Sequence, residues 1–417
     1  MRIVFNELKK VWTAKIIAII AVLCVLYFMW FMDIYITSYP KYDGSMNIGA
    51  MQVEYAYYLT NRFGSPLEQH ELEELLYNRY AILLEVSYFM QSSPVFAQHE
   101  IFTYDDFERL LAVSSANNTE MRTVEVFDSR SGGTTTMFHF GGAYMDAMFV
   151  ELLQSPVYLW LQVFDGIVEM YRDRDDWIGR VIQSNIAYNA PLREAGIRRL
   201  GEIRDTGEHK NIITPHILLH TLGYLQRLAV LVVLATLVLV SQLITTDRAN
   251  KVNRLQYASK QGRKILKKQL TAILISAVGI TTLLVIISAR LFSITGAQAF
   301  WGNGINSFMG FPLHWLSITY GQYILLIVAV IYLLSIGTAA FAFILSRFSQ
   351  NKVKLIFKVI PIFVPIILLS NWVLSEFLSI FADGNILIEL FMLLVYLAVG
   401  IGLAAFVVAR ERRVELL

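Results

Sequence analysis

The sequence has one cysteine and lacks the motifs of several enzyme classes. Cys24 is the single cysteine, so no disulfide can form within the chain. No glycine-rich loop followed by Lys-Ser or Lys-Thr is present, which excludes a phosphate-binding loop of the chain's own. No Gly-x-Ser-x-Gly nucleophile elbow occurs either. We therefore expect a non-catalytic protein.

Charge is scarce in six long apolar stretches of a chain whose residues are 56% hydrophobic. About 20 apolar residues are enough for a helix to cross roughly 30 Å of hydrocarbon. The ionisable residues of these stretches lie near their ends, as Arg227, Arg290, Glu376 and Glu389 do. The sequence predicts six transmembrane helices, at about 11–32, 228–244, 270–292, 320–345, 355–374 and 386–409.

Two of the six stretches have an alternative interpretation. The first could be a signal peptide, but bulky residues follow it (Phe31 to Tyr35) where a cleavage site has small ones, so we expect a retained anchor. The fifth contains Pro361 and Pro365, which predict a kink or two shorter helices.

The distribution of charge predicts the topology. Lysine and arginine favour the cytoplasmic side of short loops. They precede the first stretch, follow the last, and fill the connections after the second and the fourth. Six crossings place all these segments on one side, so both termini of this multi-pass cell-membrane protein are predicted to be cytoplasmic.

The segment between the first two stretches has the opposite charge. Residues 33–217 contain 26 acidic and 14 basic residues, a net charge of −12, although the whole chain carries +2. We predict an extracellular domain, mostly helical, in which 66–91 forms a helix with Leu72, Leu75, Leu76, Tyr80 and Leu83 on one face. Alternation in 122–127 and 134–140 around a Gly-Gly turn predicts a β-hairpin. The predicted fold class is membrane α-helical with an inserted α+β domain.

Candidate metal ligands in this domain are few. His216 and His220 are four residues apart and would share a helix face, as zinc ligands often do, but no third ligand is evident. Ordinary interfacial histidines are the favoured interpretation. Asp173, Asp175 and Asp176 lack the glycine turn and closing glutamate of a calcium loop, which favours a solvated acidic surface. No metal or cofactor site is predicted in this chain.

The connection after the second stretch is the most informative segment. Residues 245–269 carry one acid, Asp247, and are broken once by Gly262. We predict a short helix along the membrane surface, a turn at Gly262 and entry into the third transmembrane helix. Its eight basic residues are Arg248, Lys251, Arg254, Lys260, Arg263, Lys264, Lys267 and Lys268.

This segment resembles the ABC-2 type permeases, the membrane subunits of many ABC exporters. In that family an acidic residue follows the second transmembrane helix, and a coupling helix, a small residue, a basic residue and Gly-Arg come next. Asp247 (in place of the more usual glutamate), Ser259, Lys260, Gly262 and Arg263 match in order. The amphipathic N-terminus, with Val4, Phe5, Leu8, Val11 and Trp12 against Asn6, Glu7, Lys9 and Lys10, also fits.

The resemblance implies both partners and a division of the chain. It implies cytoplasmic ABC ATPase subunits that bind ATP and Mg²⁺, a second permease subunit (identical or related), a bacterial plasma membrane, and no nucleic acid. The domains would be 1–32, the extracellular domain 33–217, and 218–417 with the coupling loop 245–269. The coupling residues it implies are Asp247, Arg254, Ser259, Gly262, Arg263 and Lys264.

Three functions stay open on this basis. The first is export of a lipid, lipopeptide or antimicrobial peptide, powered by a separate ATPase, and the scarcity of charge in mid-membrane favours such external power. The second is a sensory or mechanotransmitting ABC membrane subunit, and the third is a membrane-anchored receptor without an ATPase. The basic loop could also merely satisfy the positive-inside rule and contact anionic lipid.

Overall fold

The computed structural model describes most of the chain. The described residues are 2–39, 48–64, 68–117, 121–127, 134–140, 144–184, 186–187, 190–191, 193–210, 213–249, 265–308, 313–349, 352–375, 377–381 and 388–413. They are mostly helical, and six of the helices are long and apolar enough to cross a membrane. The chain is therefore a multi-pass membrane protein with the number of spans that the sequence predicts.

The N-terminus consists of a short helix and the first span. Helix α1 (Arg2–Val11) precedes α2 (Ala14–Tyr27), which continues as a π-helical turn, Phe28–Met32. Thr13 separates the two helices, and its hydroxyl accepts a hydrogen bond from the backbone N–H of Ile16, capping α2. Only 17% of the span Ala14–Met32 is buried within the chain, so most of its surface is open to lipid or to another subunit.

The inserted segment is helical rather than α+β. Its helices are α3 (Ile34–Thr37), α4 (Ile48–Phe63), α5 (Gln69–Ser92), α6 (Pro94–Ala97), α7 (Tyr104–Asn117), α8 (Tyr144–Leu153), α9 (Pro156–Ser184) and α10 (Glu194–Thr206). Strands β1 (Met121–Phe127) and β2 (Thr134–Phe140) pair antiparallel, which confirms the predicted hairpin. The only other strands among the described residues are β3 (Ile186–Ala187) and β4 (Ala190–Pro191), so an α+β class is not supported.

The inserted segment has an apolar core of its own, but the predicted core face of α5 is partly wrong. Leu72 and Leu75 are buried, as expected, in a cluster with α4, α7, α8 and α9. Tyr80 is 57% exposed instead, and it lies with Tyr77 and Tyr88 on the opposite face. At 100° per residue, the buried stripe passes through Val86 and Met90, and Tyr80 lies well away from it.

Helices α8 and α9 together have the composition of a seventh span, but they are bent by 89° at their junction. Met145, Met148, Leu161 and Val163 from these two helices are fully buried in the core of the inserted segment. Their apolar character is therefore accounted for by packing within that core.

The five remaining spans follow the inserted segment. They are formed by α11 (Pro215–Ala249), α12 (Ile265–Phe292), α13 (Tyr320–Arg347), α14 (Lys352–Ser375) and α15 (Ile388–Arg413). Helix α11 begins 13 residues before the predicted second span, since proline is well suited to a first helical turn and nothing interrupts the helix through Arg227. Helix α14 is continuous through Pro361 and Pro365, so the alternative of two shorter helices is wrong.

Helix α11 lies at the centre of this bundle. Its span is 72% buried, against 39% for α12 and 50% for α13. Ser335 of α13 contacts Thr236 of α11 at 2.9 Å and Thr281 of α12 at 2.8 Å between hydroxyl oxygens. These hydrogen bonds join three helices where apolar packing alone gives little specificity.

Small residues bring α13 and α15 close together. A Cβ atom at Gly337 would lie 2.3 Å from Cε1 of Tyr396, so only glycine fits there. Gly400 approaches Gly337 from α15, and its Cβ would lie 3.3 Å from the Gly337 carbonyl oxygen. These two glycines therefore allow the close approach of α13 and α15.

Candidate functional site

A polar cluster lies where α1, the end of α11 and the start of α12 meet. We call Glu7, Lys10, Asp247 and Gln269 the α1 cluster. Glu7 and Lys10 are three residues apart and therefore on one face of α1. Asp247 lies in the last turn of α11, and Gln269 in the second turn of α12.

The carboxylates of Glu7 and Asp247 both accept hydrogen bonds from the same two groups, the Lys10 ammonium and the Gln269 amide. The Lys10 ammonium donates to Glu7 at 2.9 Å and to both carboxylate oxygens of Asp247, at 3.3 and 3.4 Å. The Gln269 amide donates to Oδ2 of Asp247 at 2.9 Å and to Oε2 of Glu7 at 3.2 Å. Each carboxylate thus accepts from the same ammonium and the same amide.

This cluster is removed from solvent. Glu7, Asp247 and Gln269 are 3%, 7% and 2% exposed, whereas the Lys10 side chain is 40% exposed. Burial by itself lowers the pKa of Lys10, but the hydrogen bonds and negative charges of Glu7 and Asp247 outweigh it and raise that pKa above 10.5. Lys10 therefore stays charged at neutral pH. Removing one of these donors would leave a buried carboxylate without its partner, which costs stability.

A second contact holds α1 against α12. The indole N–H of Trp12, the residue after α1, donates to the Ser276 hydroxyl at 3.1 Å, two turns beyond Gln269 on α12. Gly279, on the same face of α12, lies beside that indole, and a Cβ there would be in ordinary van der Waals contact with Trp12 Cζ2 at 3.5 Å.

The predicted amphipathic pattern of α1 is only partly right. Val11 is buried, as the apolar face requires, but Phe5 is 57% exposed and Glu7 is among the most buried residues of the helix. The Glu7 carboxylate turns inward because Lys10 and Gln269 hydrogen-bond it there, and Lys9 lies over the outward Phe5 ring at 4.8 Å.

The α1 cluster brackets the basic segment. Asp247, just before residues 250–264, is hydrogen-bonded to Lys10 of α1. Gln269, just after them, is hydrogen-bonded to Glu7 of α1, so both ends of the connection are tied to that helix. Of the predicted coupling residues, Asp247 alone is described. It points into the bundle rather than away from it. Arg254, Ser259, Gly262, Arg263 and Lys264 lie outside the described residues.

No family model, curated protein or solved structure matches this chain. Sequence reasoning missed Glu7, Lys10 and Gln269 as partners of Asp247. A signal was present, because Gln269 is a polar residue near the start of an apolar helix and Glu7 and Lys10 have the spacing of a helical ion pair.

The opposite end of the bundle, next to the inserted segment, carries a second polar cluster. We call Arg199, Glu208, Asn306 and Ser317 the Glu208 clamp. Helix α10 ends before Gly207, whose φ of +72° turns the chain and brings Glu208 toward the connection between α12 and α13.

The three shortest hydrogen bonds that the Glu208 carboxylate accepts link these segments. They come from the Ser317 hydroxyl at 2.6 Å, the Asn306 amide at 2.7 Å and the Arg199 guanidinium at 3.0 Å. Burial alone raises the pKa of Glu208, but these three donors outweigh it and hold that pKa below 4.5. The inserted segment is thereby fastened to the α12–α13 connection.

That connection is joined in turn to the one after α14. The Trp315 backbone N–H donates to the Leu378 carbonyl at 3.0 Å, and Ile380 N–H to Leu313 at 2.8 Å. The neighbouring His314 ring is fully buried, and burial lowers its pKa to about 3, so it is neutral. Its edge packs on Tyr323 of α13, with centroids 4.7 Å apart.

Of the two histidines of α11, His220 packs against aromatic rings. His220 lies edge-on to Tyr39 at 5.6 Å and to Tyr35 at 6.3 Å between centroids. Among the residues with a described position, no three His, Cys, Asp or Glu side chains come close enough together to hold a metal ion. The geometry of His220 is that of an interfacial side chain.

Proposed function

We propose that this chain is the transmembrane permease subunit of an ABC transporter, which exports a lipid, lipopeptide or antimicrobial peptide with ATP hydrolysed by a separate subunit. The observation that supports it best is the α1 cluster. It ties both ends of the basic segment to one helix at the membrane surface.

A connection between two spans transmits force only if its ends are fixed. A loop with loose ends would take up a displacement by changing its own shape. Here the Gln269 amide nitrogen lies 2.9 Å from a carboxylate oxygen of Asp247. Lys10 and Trp12 fasten the N-terminal helix to the same region. A push on residues 250–264 would therefore move α1, α11 and α12 together, and α11 is the most buried span of the bundle.

The charge of the segment suits a protein partner. Five of its eight basic residues lie between 250 and 264, whereas Asp247 is hydrogen-bonded within the bundle. The ATPase contact would then fall on Arg254, Ser259, Gly262, Arg263 and Lys264, and Asp247 would position the segment. The bases also suit anionic lipid, and the experiment below separates the two.

The spans leave room for a second permease subunit. Buried fractions of 17%, 24% and 28% for the spans of α2, α14 and α15 leave broad apolar surfaces uncovered. Cytoplasmic termini, an extracellular inserted domain and a bacterial plasma membrane belong to the same proposal. ATP and Mg²⁺ would be bound by the ATPase and not by this chain.

A mechanotransmitting or sensory subunit is the second candidate, and the Glu208 clamp favours it. The clamp fastens the inserted segment to the α12–α13 connection, which is hydrogen-bonded to residues 377–381 after α14. A ligand or partner that displaced the inserted segment would pull on three of the spans. Both candidates use the same ATPase and differ in whether a cargo crosses.

The test is co-expression of this chain with candidate ABC ATPases from the same genome, followed by co-purification. We expect Arg263→Glu to abolish both co-purification and stimulated ATP hydrolysis, because a buried charged contact at a small interface is worth about 2–5 kcal/mol. Lys267→Gln is the matched control, since Lys267 is exposed on α12. If both variants retain the ATPase equally, the basic segment has no coupling role, and its charges only orient the chain in the membrane.

A further inference from the structure

A cavity of about 280 Å³ lies between α11, α12 and α13 at the end of the bundle next to the inserted segment. It is roofed by the short helical turns that follow α12. Its wall is largely aliphatic and aromatic, with Leu225, Leu228, Val285, Phe292, Ile324 and Val328 among the lining residues.

The polar side chains at the wall are hydrogen-bonded to the protein itself. The Thr221 and Tyr320 hydroxyls contact each other at 2.6 Å, and the Tyr224 hydroxyl donates to the Ser288 carbonyl at 3.1 Å. The Gln298 amide donates to the Ser293 carbonyl at 3.2 Å. A polar ligand would lose its hydration here and find few free partners, whereas a hydrocarbon would lose nothing.

The cavity adjoins the surface that faces lipid. Val285 and Ile324 line it and are partly exposed, and the adjacent Ile286 and Leu325 are 62% and 61% exposed. Trp301, also in the wall, is 49% exposed, and tryptophan is enriched at the membrane–water interface. The opening therefore lies sideways, between α12 and α13, at the depth of one leaflet's headgroup boundary.

We propose that this cavity binds a single hydrocarbon chain that enters sideways from the membrane, with the polar head of the molecule left near Trp301. Its volume lies just below the usual range of ligand pockets, roughly 300–1,000 Å³, and suits one chain rather than a whole lipid. A membrane phospholipid and an acylated peptide both carry such a chain, and the competition experiment below separates these two sources. Such binding needs no ATPase and can occur whether or not the protein transports a cargo.

The test uses the full chain in phospholipid nanodiscs, with palmitic acid bearing a terminal diazirine as the probe. After illumination, we expect adducts on peptides from the cavity wall, within 285–301 and 320–328. Val285→Phe fills the cavity, and Val278→Phe is the matched control because Val278 is exposed on the same helix and does not line the cavity.

Labelling of the cavity wall should fall about tenfold in Val285→Phe, which corresponds to about 1.4 kcal/mol of binding free energy. A loss of this size is expected when the added ring displaces two methylenes of the probe from the cavity. Val328→Phe, on the facing helix, should reproduce the loss, and Val278→Phe should label as the unaltered protein does. Equal labelling in all four proteins would overturn the proposal, as would adducts confined to the outward surface.

Competition then identifies the source of the chain. Displacement of the probe by added diacyl phospholipid supports a bound membrane lipid. Displacement by an acylated peptide at concentrations where the phospholipid has no effect supports an acylated ligand. If neither competes and the filling variants label normally, the cavity has no hydrocarbon ligand.

Discussion

The amide nitrogen of Gln269 lies 2.9 Å from a carboxylate oxygen of Asp247, although the two residues are 22 positions apart. Asp247 ends one span and Gln269 begins the next, so this hydrogen bond closes the base of the basic connection. The same amide reaches Glu7 on α1. A glutamine at this point lets two buried carboxylates lie close together without a second cation.

The first prediction concerns Gln269. Gln269→Leu removes a donor from both buried carboxylates, and an unsatisfied buried polar group costs about 1–3 kcal/mol. We expect the free energy of unfolding, measured by SDS titration in mixed micelles, to fall by that amount. Lys267→Gln, two residues earlier and exposed, should change it by no more than about 0.5 kcal/mol. A loss of equal size in both variants would contradict the buried network.

The second prediction separates the positioning role of Asp247 from contact with a partner. The sequence alone predicts that charge reversal of Asp247 spares folding, but its burial leads us to expect that Asp247→Lys destabilises the chain by about 3–5 kcal/mol. Combining it with Lys10→Asp restores the opposite charges and should recover part of that loss. No recovery of the unfolding free energy in the double variant would exclude the Lys10–Asp247 pair.

The double variant also tests the ATPase interface. If Asp247 only positions the segment, Lys10→Asp with Asp247→Lys should regain co-purification of the ATPase along with stability. Recovery of stability without the ATPase would place Asp247 in the interface itself.

The third prediction is that acid loosens the Glu208 clamp region in two stages. His314 has its pKa lowered from 6.5 to about 3, so the unfolded state binds the proton first, and stability falls as pH decreases below 6.5. The lowered pKa of Glu208 contributes stability that is present above 4.5 and is lost as pH falls through its folded pKa.

Thermal unfolding between pH 7.5 and 5 checks the first stage, because the loss that involves Glu208 begins only below pH 4.5. His314→Phe cannot charge and should flatten the decline between these values, whereas Glu208→Gln should lower stability throughout but keep the decline. An unchanged slope in His314→Phe would show that another group titrates there.

The fourth prediction concerns orientation. In a Cys24→Ser background, Asn6→Cys on α1 and Ser92→Cys at the end of α5 are both exposed. An impermeant thiol reagent should label Ser92→Cys on intact cells and Asn6→Cys only after permeabilisation. The reverse pattern would invert the topology and remove the basic segment from the cytoplasm.

The local sequence pattern was sufficient to predict elements that depend only on neighbouring residues. The hydrocarbon length makes any apolar run of about 20 residues a span, and alternation around Gly-Gly produced the β1–β2 hairpin. The same reasoning failed for Tyr80, because a tyrosine is apolar enough to count toward either face of α5. Only the position of α9 shows which face is covered.

The sequence by itself determined the membrane character, the six spans and the polarised charge of this protein, since each depends on the composition of contiguous residues. Tertiary structure alone decided that Glu7, Lys10, Asp247 and Gln269 form one site, and that Glu208 reaches Asn306 and Ser317. These residues are far apart along the chain, and hydrogen bonds depend on distances of about 3 Å that only helix packing sets.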